Sequence, residues 1–170
     1  MSAGAPADKP DMSRITSIVL GALLLVAGLA APASADITGF LGVSTTPAKH
    51  SGTGVAVGVG LVIVGFEFEY ANLAEDPVNA IPGLKTGMAN ILVQTPTKSF
   101  QVYATTGGGI FSESYRGSSI TSFGTNVGGG VKIALAGPVR LRLDYRVYQL
   151  QGSPMYPTPK RFYAGINFSF

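Results

Sequence analysis

The chain carries one histidine, His50, with Ser51 directly after it. A Ser-His-acid arrangement needs the base within hydrogen-bond reach of the nucleophile and an acid to orient the imidazole. Neighbours on an extended segment point opposite ways, so His50 and Ser51 make a poor dyad. The candidate acids, Glu75, Asp76 and Glu113, lie on other segments. One histidine without cysteine or a carboxylate cluster offers no metal-ligand set. Gly107-Gly108-Gly109 and Gly128-Gly129-Gly130 lack the spacing of phosphate-cradling loops and read as places where a crowded sheet bends. The sequence therefore predicts no catalytic, cofactor-binding or metal-binding residue, and no enzyme.

The ionic residues carry more information. Arg140, Arg142, Asp144 and Arg146 alternate with Val139, Leu141, Leu143, Tyr145 and Val147. Glu67 and Glu69 alternate with Phe66, Phe68 and Tyr70, and Lys132 and Arg161 fall on similar wet faces. A two-residue period is the mark of a β-strand with one oily and one polar side. Leaving Arg142 in hydrocarbon near a bilayer midplane would cost about 2–4 kcal/mol, so the charges belong inside. Long Glu and Arg side chains can meet across a narrow barrel. We expect Glu67 and Glu69 to face Arg140, Arg142, Lys132 or Arg146, with Glu67 level with Arg140 and Glu69 with Arg142, and Asp144 as a third acid. Two readings follow: a polar plug that satisfies the charges, or a gate whose pairs exchange partners. The plug is favoured, because polar, filled interiors are general in small barrels.

Eight segments must position these groups: about 37–46, 53–61, 64–74, 85–95, 98–110, 122–135, 138–150 and 160–170. Each is near the roughly 10 residues that span a bilayer when tilted. The intervening stretches alternate between long (47–52, 75–84, 111–121, 151–159) and short (62–63, 96–97, 136–137). The turn at Val62-Ile63 lacks turn chemistry and is inferred from a change of phase. The fourth segment alternates poorly, since Met88 and Leu92 share a face with Asn90 and Gln94.

The final segment is the most regular. Phe162, Ala164, Ile166, Phe168 and Phe170 are apolar, with Arg161, Tyr163, Gly165, Asn167 and Ser169 between them. This terminal pattern resembles the closing strand of bacterial outer-membrane β-barrels. With the strand before it, the chain over residues 36–170 is similar to the small OmpA-like barrel domains. The resemblance implies an eight-stranded antiparallel transmembrane up-and-down β-barrel in the bacterial outer membrane. It also implies that Phe162, Ile166, Phe168 and Phe170 are read by the barrel-insertion machinery, and that the surroundings are a lipid bilayer with lipopolysaccharide. Short turns would then face the periplasm with both termini, and long loops would face outward. Tyr115, Tyr148 and Tyr156 are expected in the interfacial girdle.

Residues 1–35 read as an export leader: Arg14, an apolar core from Ile15 to Ala31, and an Ala33-Ser34-Ala35 cleavage site that leaves Asp36 first. Met12 offers a second start. Charged residues make up 12% of the chain, about half the share usual in a soluble domain. A net charge of +3, with basic residues spaced singly in the strands, gives no nucleic-acid surface. The expected role is structural and surface-exposed, as a monomer without cofactor. A narrow passive, porin-like channel and a loop-mediated adhesin are the alternatives.

Overall fold

The computed structural model describes residues 34–46 and 49–170. The leader expected over residues 1–35 lies outside them, apart from Ser34 and Ala35. Eight strands follow in order: β1 (Ser34–Ser44), β2 (His50–Gly60), β3 (Val64–Leu73), β4 (Gly83–Gln94), β5 (Phe100–Tyr115), β6 (Ser118–Ala136), β7 (Val139–Leu150) and β8 (Lys160–Ser169). Each pairs antiparallel with its neighbours, and β1 pairs with β8 to close the ring. Ile37 lies opposite Phe168 and Leu41 opposite Ala164 along that seam. Closure leaves no sheet edge along the staves of the barrel, so the apolar last strand is paired on both sides.

Alternation does the sorting. On β3, Glu67 and Glu69 are buried while Phe66, Phe68 and Tyr70 are exposed. On β8, Arg161, Tyr163 and Asn167 are buried while Phe162, Ile166 and Phe168 are exposed. The outer surface is thus a belt of bare hydrocarbon, with Leu41 at 70% and Phe68 at 67% exposure. Soluble monomers rarely expose contiguous apolar patches above a few hundred Å². A belt around the whole barrel is stable only against lipid.

Two departures from the sequence reading concern length. Residues 111–121, expected as a loop, continue the ladder from Phe111–Ser122 to Tyr115–Ser118. The chain reverses on Arg116 (φ 50°) and Gly117 (φ 83°), the left-handed pair that a tight hairpin requires. Serines and glycine suggested a loop, yet Tyr115, Ile120 and Thr121 are strand formers. At the seam, β1 begins at Ser34, whose hydroxyl bonds Ser169 Oγ at 2.8 Å. The turn at Val62-Ile63 lies where the phase change put it, with the Leu61 amide donating to the Val64 carbonyl at 2.7 Å.

Inward glycines make the narrow bore possible. A Cβ on Gly130 would lie 2.2 Å from the Leu143 carbonyl oxygen and 2.6 Å from the Tyr103 hydroxyl. Gly130→Ala is therefore expected to cost about 1–3 kcal/mol, read as a shift in urea unfolding of the vesicle-inserted protein. An unchanged midpoint would mean that β6 can back away from β7.

Candidate functional site: the ion-paired lumen

Four acids and four bases meet inside the barrel. Nearest the end that holds the start of β1, Lys132 Nζ donates to Asp36 Oδ2 at 2.5 Å. Next, Arg142 bonds Glu67 through both terminal nitrogens, the longer contact being 3.2 Å, and reaches Asp144 at 3.2 Å. Arg146 is shared among Glu67 at 2.8 Å, Glu69 at 3.1 Å and Asp144 at 3.0 Å. Arg161 pairs with Glu69. The side chains of Arg142 and Arg146 are fully buried. A buried charge must be paired and hydrogen-bonded, and here each base has an acid at contact distance.

Tyrosines complete the network. The Tyr103 and Tyr163 hydroxyls donate to Asp144 Oδ2, the second at 3.1 Å, and Tyr148 donates to Glu69 Oε1 at 3.3 Å. The Arg142 guanidinium lies 4.9 Å from the Tyr103 ring centre and that of Arg161 4.9 Å from Tyr148. Phe40 stacks on Tyr163 with centroids 4.1 Å apart. The ring of Phe40 occupies the volume that a side chain on Gly54 would need.

Toward the opposite end the lumen turns apolar. Leu73, Leu84, Met88, Phe111 and Leu150 pack with the Tyr148 ring in one buried cluster. Met88 breaks the polar alternation of β4 because this part of the bore is lined with hydrocarbon, whereas Leu92, the other break, lies at the opposite end beside Asp36 and Lys132. Beyond the cluster, Ser44, His50, Glu113 and Tyr156 line a cavity of about 20 Å³, room for one water. His50 turns inward and Ser51, opposite outward-facing Val43, turns away.

Several expectations need correction. Tyr148 is not an interfacial residue: it is 2% exposed and lies in the lumen. Tyr115 and Tyr156 are half-buried at the loop end, Tyr115 beneath Arg116 at 5.2 Å and Tyr156 against the His50 cavity. Outward-facing tyrosines are instead Tyr70 and Tyr145. Glu67 meets Arg142 and Arg146 rather than Arg140, and Glu69 meets Arg146 and Arg161 rather than Arg142, because barrel shear shifts facing strands out of level. Arg140 is half-exposed near the end of the bore and makes no ion pair among the described residues. Lys132 pairs with Asp36, not with Glu67 or Glu69. Asp36 and Tyr103 were missed as lumen residues, though the alternations Asp36-Thr38-Phe40 and Gln101-Tyr103-Thr105 mark both. Phe162, Ile166, Phe168 and Phe170 all project from the outer face of the seam.

The connections at the loop end are braced. The Arg116 amide donates to Glu75 Oε1 at 2.8 Å, and the Met155 amide to Glu113 Oε1 at 2.8 Å. Asp76 accepts from the Asn79 side-chain amide at 2.7 Å, which holds its carboxyl below the usual aspartate range. This turn presents Val78 at 92% exposure.

Outward hydrocarbon, a closed ring of eight strands and a filled ionic bore define a small transmembrane β-barrel. Several solved structures share this fold. The chain is similar to the N-terminal β-barrel domain of Pseudomonas aeruginosa OprF, with a TM-score of 0.63, 15% identity, and 81% of this chain and 97% of that one covered. Neisserial surface protein A matches with a TM-score of 0.60 and 20% identity over 81% and 96% of the two chains. Ail, the attachment invasion locus protein of Yersinia pestis, was solved in complex with the heparin analogue sucrose octasulfate. It matches with a TM-score of 0.51 and 13% identity over 82% and 99%. No protein-family model and no curated protein sequence matches the chain.

Proposed function

We propose that this protein is a non-conducting barrel of the bacterial outer membrane, whose work is structural and surface-facing. The observation that carries the reading is the two-layer closure of the bore. Four acids balance four bases, and Leu73, Leu84, Phe111 and Leu150 lie between them and the loops. An ion entering from either end would have to break a paired charge layer and shed its water in an apolar one. Purified protein in a planar bilayer is therefore expected to give no discrete current steps. Reproducible unitary conductance that is altered in Arg142→Ala would favour the gated-channel reading instead.

In this reading the leader is removed after Ala35, both ends of the barrel chain face the periplasm, and the braced loops face outward into lipopolysaccharide. Phe162, Ile166, Phe168 and Phe170 present the closing strand to the insertion machinery. A second reading, a loop-mediated surface contact, is favoured by one observation: Val78, Ile120 and Met155 are exposed on braced, not floppy, segments. Cells bearing the protein with residues 76–80 replaced by glycine and serine should then lose whatever adhesion the intact barrel confers.

A further inference from the structure

The lumen charge is divided by halves of the chain. Strands β1–β4 turn only acids inward: Asp36, Glu67 and Glu69. Strands β5–β8 turn five bases inward (Lys132, Arg140, Arg142, Arg146, Arg161) against two acids, Asp144 and Glu113. With His50 neutral, the halves carry −3 and +3 (five minus two). Of the seven ion pairs among the described residues, five join one half to the other. The other two are the contacts of Arg142 and Arg146 with Asp144 on their own strand.

A plug does not need this partition. The same pairs would fill and neutralise the bore equally well with acids and bases interleaved on each half. A buried pair, moreover, adds little stability over an apolar equivalent. The partition matters only while the halves are still apart. The one ladder that joins the ends of the sheet, β1 to β8, brings Asp36 to Ser169 and Ser44 to Arg161. Its loop-closure cost is the largest in the molecule, because every other ladder joins strands consecutive in sequence. Before closure the lumen face of the open sheet is wet, and its charges act over a Debye length, about 30 Å at 0.01 M salt.

We infer that the acidic leading half and the basic trailing half form a closure device: their mutual attraction draws β1 onto β8 as the barrel forms. This rests on the ion-paired lumen and is independent of whether the bore conducts. Like halves repel, so the device also opposes pairing of two leading or two trailing halves from different chains.

The test is the rate at which the full chain, diluted from urea, folds into zwitterionic phosphatidylcholine vesicles. Folding is timed by the fraction that migrates as compact barrel in unheated gel samples. Raising sodium chloride from about 0.01 M to 1 M shrinks the Debye length to about 3 Å and should slow folding by roughly tenfold or more, with little change in the final folded fraction. A variant carrying Glu67→Gln, Glu69→Gln, Arg142→Gln and Arg161→Gln leaves −1 and +1 on the halves. It should fold slowly at low salt and respond little to added salt. Should that variant fail to fold, Asp36→Asn with Lys132→Gln removes one charge from each half near the rim and should give an intermediate salt slope. A wild-type rate indifferent to salt, or a rim double variant with the wild-type slope, would overturn the inference.

Discussion

Arg146→Ala is expected to destabilise the folded barrel by about 3–5 kcal/mol, the range for removing one partner from a buried ionic network. Its guanidinium touches Glu67, Glu69 and Asp144, none of which has another route to water. Glu67 keeps Arg142 and Glu69 keeps Arg161, but the layer is left one positive charge short. The loss should appear in urea titrations of the vesicle-inserted protein. Lys132→Ala makes the contrast. Its partner Asp36 is 12% exposed at the end of the bore and can recruit water, so the loss there should be distinctly smaller. If Arg146→Ala were silent, the three carboxylates would have to be hydrated in place, and the lumen would be a water-filled channel.

Phe68→Arg tests the other face. Phe68 stands in the middle of β3 with 67% of its surface outside the protein. In a bilayer, arginine near the midplane costs about 2–4 kcal/mol. On a water-facing surface the same exchange would fall within about 0.5 kcal/mol. Unfolding from vesicles should therefore shift strongly, and assembly into membranes should slow or fail. A loss below about 0.5 kcal/mol would mean that the outer belt meets water, and the transmembrane architecture would fall with it.

Which parts of this were legible beforehand follows from period. A strand's side-chain phase can be read wherever the two faces differ in chemistry, as with Arg142-Asp144-Arg146 against Leu141-Leu143-Tyr145. The β3 acids and the β7 and β8 bases were therefore readable one by one. Phase says nothing about offset around a ring, which is why Glu67 was matched with Arg140 and not with Arg142. It also fails where both faces are apolar or small. On β4, Met88 disturbed the pattern because the bore changes from ionic to hydrocarbon at that level, while Leu92 is a lone apolar side chain beside Asp36 and Lys132 at the ionic end. Tyr148 illustrates a chemical ambiguity. A tyrosine near a strand end suits the membrane interface, yet its phase with Arg146 put it inside, and phase decided. The β5–β6 hairpin was obscured by composition, since serine and glycine are common to loops and to tight turns.

The chain has seven tyrosines and no tryptophan, and their distribution has an optical consequence. Tyr103, Tyr148 and Tyr163 are held in the bore with their hydroxyls on carboxylates, whereas Tyr70 and Tyr145 face outward, about half exposed. Near-ultraviolet circular dichroism responds to rings fixed in asymmetric surroundings and ignores those that rotate. The three lumen rings should therefore dominate the tyrosine bands of the native spectrum, which should weaken when the ionic layer is disrupted even if the staves remain paired.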